Sequence, residues 1–238
     1  MAGESNMVFH RQQPIFENRY DAGRQLAEKL AVYKKEPVIV IAIPNGGIPV
    51  GMQVALALKA DLDLVISRKI PIPLRPEGGF GAVADDGTTI LNQAVLKRIE
   101  LSDKQVHYQV NKVRNDIQQR SLLYRGSKPL SIVKEKIAIV VDDGLASGFT
   151  MMAAIESVRR RQPKFIIATA PAASAAAIKN IEKTADRVIT VETSFAPKFY
   201  ISDFYRYWNV LSDEEGLKCY KDWHMRHYQS TIKPPNKK

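Results

Sequence analysis

The 238-residue sequence predicts an α/β fold, a parallel sheet with helices on both faces, on three observations. Val38 to Ile43 reads VIVIAI, apolar at consecutive positions, so it suits a strand buried on both sides. Other stretches place apolar residues three to four positions apart, the spacing of amphipathic helices. The two kinds of segment alternate along the chain, the pattern of βαβ crossovers.

Asn18 caps a first helix whose apolar positions Ala22, Leu26, Leu30 and Tyr33 share a face, and Pro37 stops it. After the strand Val38 to Ile43 come a helix from about Ile48 to Leu58 and a strand from Leu62 to Ser67. Ile70 to Gly87 fits neither period. Prolines at 71, 73 and 76 precede glycines at 78, 79 and 81, and Asp85-Asp86-Gly87 makes a turn, so the segment reads as a long loop of the kind that forms lids. Ser102 to Tyr124 is the longest helical pattern, opened by the capping box Ser102-x-x-Gln105. Val106, Val110, Val113 and Ile117 form its apolar face, and Lys112, Arg114 and Arg120 read as its solvated side. Strands follow at Ile137 to Val141, Phe165 to Ala170 and Arg187 to Val191, with helices at Thr150 to Arg160 and Ala173 to Lys183 between them.

The organisation is read as one domain over 1–238, with a core of about 18–193 and a hood and basic tail over about 194–238. The hood runs from roughly Ser194 to Trp223. Its aromatics Phe195, Phe199, Tyr200, Phe204, Tyr205, Tyr207, Trp208 and Trp223 are expected mostly to pack it.

Composition excludes several classes. With 45% hydrophobic and 25% charged residues, the chain is neither collagen-like nor wholly disordered. A single cysteine, Cys219, allows no intrachain disulfide and no Cys/His zinc cage, which suits a reducing, cytoplasmic setting. Val38 to Ile43 is far too short to cross a bilayer, and polar Met1 to Asn6 lacks the apolar core of a secretory signal, so neither a membrane nor export is expected. The formal net charge is +10. Lys218, Lys221, Arg226, Lys233, Lys237 and Lys238, against Asp222 alone, carry half of that excess. This suits a polyanionic partner, but a solvated terminal extension is the preferred reading, and nucleic acid is not expected.

The strongest site signal is Ile137 to Thr150, IAIVVDDGLASGFT. A buried strand ends in two adjacent carboxylates, Asp142 and Asp143, and a Gly/Ser/Thr turn then opens a helix. Turn amides at a helix N-terminus, with the hydroxyls of Ser147 and Thr150, form an anion cradle that needs no lysine. The carboxylates can accept from sugar hydroxyls, so the pair describes a ribose 5-phosphate site at the carboxyl edge of a parallel strand. Gly79-x-Gly81-x-x-Ala84 fits a dinucleotide fingerprint only on paper, because it follows prolines and leads into a turn. His224-x-x-His227 has no third ligand beside it and reads as two solvated histidines.

VVDDGLASGFT resembles the phosphoribosyl pyrophosphate signature of the type I phosphoribosyltransferases, and the likeness is greatest to a bacterial and archaeal branch of unsettled acceptor. That branch shows a similar Asn45-Gly46-Gly47 turn and a Gly81-Ala82-Val83-Ala84 element. The resemblance implies a Rossmann-like parallel sheet, the type I phosphoribosyltransferase fold. It makes Asp142 and Asp143 binders of the ribose hydroxyls, and Ala146, Ser147, Gly148, Phe149 and Thr150 the loop around the 5-phosphate. Asn45, Gly46 and Gly47 match the loop that binds pyrophosphate, where backbone amides must come close to phosphate oxygens. Arg68 and Lys69 fall where the family places cationic residues at the start of its lid. The implied reaction is displacement of pyrophosphate from phosphoribosyl pyrophosphate by a nucleobase or other nitrogen acceptor, with Mg2+ bridged by the substrate and no metal site of the protein's own. Phe149 replaces a small residue, and Ala146 stands where 6-oxopurine enzymes carry an aspartate, which disfavours hypoxanthine and guanine. The alternative is a noncatalytic sensor of phosphoribosyl pyrophosphate that binds nucleic acid. The retained Arg68-Lys69 and the lack of a DNA-reading helix pair disfavour it. Self-association into a homodimer stays open.

Overall fold

A computed structural model describes residues 14–126 and 129–231. Met1 to Asn6 and the late lysines Lys233, Lys237 and Lys238 lie outside the described residues. In chain order, α1 (Arg19–Lys29), β1 (Val38–Ala42), α2 (Gly47–Leu58) and β2 (Asp61–Leu64) precede three strands, β3 (Ser67–Ile72), β4 (Arg75–Ala84) and β5 (Thr89–Leu91). Helices α3 (Gln93–Ile99) and α4 (Asp103–Arg125) lead to β6 (Ile137–Val141), α5 (Phe149–Arg159), β7 (Phe165–Ser174), α6 (Ala175–Ile181), β8 (Arg187–Ser194) and α7 (Asp213–Thr231).

The central sheet has the order β2-β1-β6-β7-β8, every neighbouring pair parallel. Strands β1 and β6 are buried at every position, as consecutive apolar residues require when both faces are covered. Val40, Ala42, Ile139 and Val141 pack with α2 and α4 through Val50, Val54, Val113 and Ile117. Ile39, Ile41, Ala138 and Val140 pack on the other face with α5 through Met151, Ala154, Ile155 and Val158.

From β1 the chain moves outward to β2 on one side, and from β6 through β7 to β8 on the other. The order therefore reverses between β1 and β6, where Ala42 pairs with Val141. Loops leaving the carboxyl ends of these strands open onto a shared crevice, the place where such sheets bind ligands.

Two expected elements differ. The strand expected at Leu62 to Ser67 is split: β2 ends at Leu64, and from Ser67 the chain leaves the parallel sheet. The long loop expected from Ile70 to Gly87 is largely the antiparallel hairpin β3-β4, extended by β5. Pro73-Leu74 turns it, with Leu74 at φ 63, as at the third position of a type II turn. The register shifts on both sides of Pro71, because a residue without an N–H interrupts the ladder. A Cβ on Gly81 would overlap the Ile90 carbonyl of β5. The proline and glycine content that suggested a loop is thus what a bulged, closely paired hairpin needs.

The hood also has more regular structure than an extension. Ser212 caps α7 through the Glu215 amide (3.2 Å) while the Glu215 carboxylate accepts from the Ser212 amide (2.8 Å), a capping box. Lys218 and Lys221 lie on this helix rather than in an irregular tail. Phe204, Tyr205 and Trp223 are buried and Phe199 and Trp208 partly so, whereas Phe195, Tyr200 and Tyr207 are exposed. His224 does not stand in solvent as expected: it is half-buried and packs edge-on against Tyr220, ring centroids 4.5 Å apart.

Candidate functional site

The acid turn follows β6 directly. The Asp143 carboxylate accepts from Arg19 Nε at 2.8 Å, and both side chains are almost wholly buried. The Arg19 guanidinium lies over the Trp208 ring, 3.9 Å from its centroid, and Nη1 reaches Asn209 Oδ1 at 3.4 Å. Tyr205 Oη donates to the Asp143 carbonyl (2.7 Å), and the stretch around Phe16 exchanges backbone bonds with Phe204 and Arg206. The start of the described chain and the hood therefore together fix Asp143. Half-buried Asp142 sits beside it. Burial and the neighbouring Asp143 charge push its carboxyl well above the usual carboxylate range.

Pro44 to Gly47 lies against this turn. A Cβ on Gly46 would overlap the Asp143 carboxylate, and one on Gly47 would come within 2.6 Å of the Val141 carbonyl. Only glycine allows the approach. The Gly47 amide donates to Ile43 O (3.1 Å). The Asn45 side chain is bonded on all sides, donating to Leu211 O and Asp213 Oδ1 (both 2.9 Å) and accepting from Tyr124 Oη (2.7 Å) and Arg120 Nη2 (3.2 Å).

In the loop Ala146 to Thr150, Gly148 sits at φ 83 as the N-cap of α5, where a Cβ would be 3.0 Å from Ile181 Cγ1. Ser174 Oγ holds Ala146 O (2.7 Å) and Asn180 Nδ2 holds Ser147 O (3.2 Å). The first α5 backbone bond runs from Met152 N to Gly148 O, so the amides of Phe149, Thr150 and Met151 stand at the helix mouth outside its own ladder. The Phe149 ring packs beneath the hairpin with Ala82, Ala84 and Ala153, which leaves the loop interior to the backbone.

The Arg68 and Lys69 side chains have different neighbours. Successive strand residues point to opposite faces. Burial lowers the Arg68 pKa, as does the Arg120 charge, while Asp116 and Asp213 raise it, so Arg68 belongs on the Arg120 side. Lys69 Nζ donates to Glu77 O at 2.7 Å within its own hairpin, and burial lowers its pKa.

Sequence reading passed over Arg19, Arg120, Tyr124, Tyr205 and Asp213. Arg120 is not the solvated residue expected: it forms a two-point ion pair with Asp213, and its side chain is 14% exposed. Its signal was the apolar stripe itself, which runs on in helical steps from Ile117 to Arg120 and Tyr124. For Arg19 the signal was a cation at the first helical position, which the macrodipole disfavours unless a carboxylate is at hand. Among the described residues no three His, Cys, Asp or Glu side chains gather as a metal site, and no helix is long and apolar enough to cross a membrane.

The profile of the family described as Phosphoribosyl transferase domain matches residues 83–202. Two curated proteins, from Mycobacterium tuberculosis strains CDC 1551 and H37Rv and provisionally named phosphoribosyl transferases, are each 33% identical over 201 residues, which is 84% of this chain and 45% of theirs. The chain thus spans less than half the length of these relatives. The crystal structure of TT1426 from Thermus thermophilus superposes with a TM-score of 0.71 at 28% identity, covering 87% of this chain and 98% of that one.

Proposed function

The chain belongs to the type I phosphoribosyltransferase family, and from that premise we propose that it transfers the 5-phosphoribosyl group of phosphoribosyl pyrophosphate to a nitrogenous base, releasing pyrophosphate. The observation that carries this reading is the meeting of three loops at the β1/β6 switch point: the acid turn, the glycine loop pressed against it, and the helix mouth at Gly148. On this reading the α5 amides and Ser147 hold the 5-phosphate, and Asp142 accepts from the ribose hydroxyls. Asp143, already bonded to Arg19, keeps the turn in place.

The bond from C1 of the ribose to pyrophosphate breaks as the acceptor nitrogen bonds to C1. Positive charge grows on the ribose ring and negative charge on pyrophosphate, so backbone amides of Asn45 and Gly46 and the Arg68 guanidinium stabilise the departing group. The hairpin, folded over α5 through Ser67 Oγ to Thr150 O (2.9 Å), keeps water from the reacting centre. Magnesium takes hard oxygen ligands, which the substrate's own phosphates would provide without a metal site of the protein's own, and when bound it would neutralise leaving-group charge. The acceptor nitrogen supplies the electron pair for the new bond to C1, and the proton it gives up passes to the departing pyrophosphate or to solvent.

The test is a nucleobase panel incubated with phosphoribosyl pyrophosphate and magnesium, scoring pyrophosphate and nucleoside monophosphate together. Both products with one base support the transferase. Pyrophosphate without nucleotide would make water the acceptor. Neither product, together with tight oligonucleotide binding that phosphoribosyl pyrophosphate modulates, would replace the transferase with a regulator.

A further inference from the structure

We propose that helix α7 is a positioning element for the pyrophosphate loop, acting through Asp213 and Arg120 on Asn45; this rests on the assignment of Pro44 to Gly47 as that loop. A carboxamide has two N–H donors and two acceptor lone pairs, and all of those of Asn45 are used. Leu211 O and Asp213 take the donors, and Tyr124 and Arg120 fill the acceptor. The side chain is held from three directions: the segment entering α7, the first residue of α7, and the last turns of α4. What remains of Asn45 for an anion is its backbone, whose direction the side-chain bonds fix.

Asp213 and Arg120 brace each other. Arg120 Nε donates to Asp213 Oδ2 at 3.0 Å, and Nη2 donates to Oδ1, a planar two-point contact that defines orientation as well as distance. Burial pushes the Asp213 carboxyl up, but the hydrogen bonds from Arg120 and Asn45 outweigh it and hold the group below the usual range. Steric evidence is independent of these bonds. A Cβ on Gly216 would overlap the Tyr124 hydroxyl and lie 3.4 Å from Asn45 Cβ, so α7 presses its glycine onto the residue that shapes the loop. In an exposed helix, Gly to Ala is stabilising; here it pushes the helix off its seat.

If α7 sets the loop, linkage requires that an anion in the loop also steady α7. The ribose 5-phosphate cradle, anchored by Ser174 and Asn180 instead, lies outside this coupling. The two halves of phosphoribosyl pyrophosphate therefore respond differently to the same change.

Calorimetry on the full chain with magnesium pyrophosphate, phosphoribosyl pyrophosphate and ribose 5-phosphate tests the assignment. Asp213→Asn, at a side chain 38% exposed, should fold and weaken pyrophosphate binding by about tenfold, the worth of one charged hydrogen bond. Ribose 5-phosphate affinity should stay unchanged. Gly216→Ala should repeat the pattern. Hydrogen exchange of the wild type should show greater protection of α7 amides with pyrophosphate and none with ribose 5-phosphate. Equal loss of both ligands, or wild-type pyrophosphate affinity in Asp213→Asn together with unaltered α7 exchange, overturns the positioning role while leaving the transferase reading intact. A wild type that binds ribose 5-phosphate but neither pyrophosphate nor phosphoribosyl pyrophosphate overturns both.

Discussion

Replacing Arg19 with methionine removes the counter-charge from Asp143 while keeping much of the side-chain volume. The ion pair is 2.8 Å long, with side chains 7% and 12% exposed, so solvent cannot take over the task of stabilising the carboxylate. Removing one partner of such a pair costs about 3–5 kcal/mol, because the other charge is left buried. For a chain of this size that corresponds to a fall in Tm of roughly 6–20 °C. Arg19→Lys keeps the charge but loses the planar guanidinium over Trp208, and should fall between wild type and Arg19→Met. The double variant Arg19→Met with Asp143→Asn removes the stranded charge, so it should recover much of the loss. Thermal unfolding by circular dichroism at neutral pH is the assay, and moderate salt should change the result little, since a buried pair is weakly screened. A loss under about 1 kcal/mol for Arg19→Met, or single-variant effects that simply add in the double variant, would refute the claim that Arg19 is the group holding Asp143.

The other expected outcomes concern the same crevice. Asp142 has a folded-state pKa well above the ordinary value of 3.8, so the folded protein binds the extra proton more tightly than the unfolded chain; stability from this group is present at low pH and is lost as pH rises from about 4 through the elevated value. Asp142→Asn should flatten that part of the Tm-against-pH curve, and an unchanged slope would count against the raised Asp142 carboxyl. Ser147→Asp, at an exposed position of the helix mouth, should abolish ribose 5-phosphate binding in calorimetry by repelling the phosphate, with Tm nearly unaltered; an unchanged Kd would move the phosphate elsewhere. Arg68→Ala should lower turnover more than phosphoribosyl pyrophosphate affinity, because the leaving group gains charge as it departs. Lys69→Ala should do so much less, since its ammonium is held by Glu77 O; equal effects on kcat would overturn the division between them.

The parallel sheet and the three site loops were legible because each has a local cause. Burial on both faces shows in the apolar runs of β1 and β6, and a glycine at a helix mouth shows in Ala146 to Thr150. What sequence reading missed depends on partners far along the chain. Arg19 meets Asp143, and Arg120 meets Asp213, and no period in either segment records the other. The hairpin failed for a different reason: β3 and β4 stabilise one another, so neither needs the continuous apolar run of a central strand, and their prolines and glycines match a turn as well as they match a bulged pair.

The adjacent aspartates show why a motif can name residues without dividing their labour. The two acids follow the strand in one turn, and there their contacts differ. Asp143 meets the Arg19 guanidinium and the packed ring of Trp208, and Tyr205 fixes its carbonyl. That environment compensates the charge of the carboxylate. Asp142 Oδ1 accepts from the Asp143 amide at 2.8 Å, and with its raised pKa the group gains most from the hydrogen bonds that a ribose would bring. A pair of like charges side by side is costly, the more so in a crevice proposed to receive a polyphosphate. Neutralising one acid from the rear, through a helix and a hood that the motif does not contain, lowers that cost and leaves the other acid for the proposed contact with the sugar.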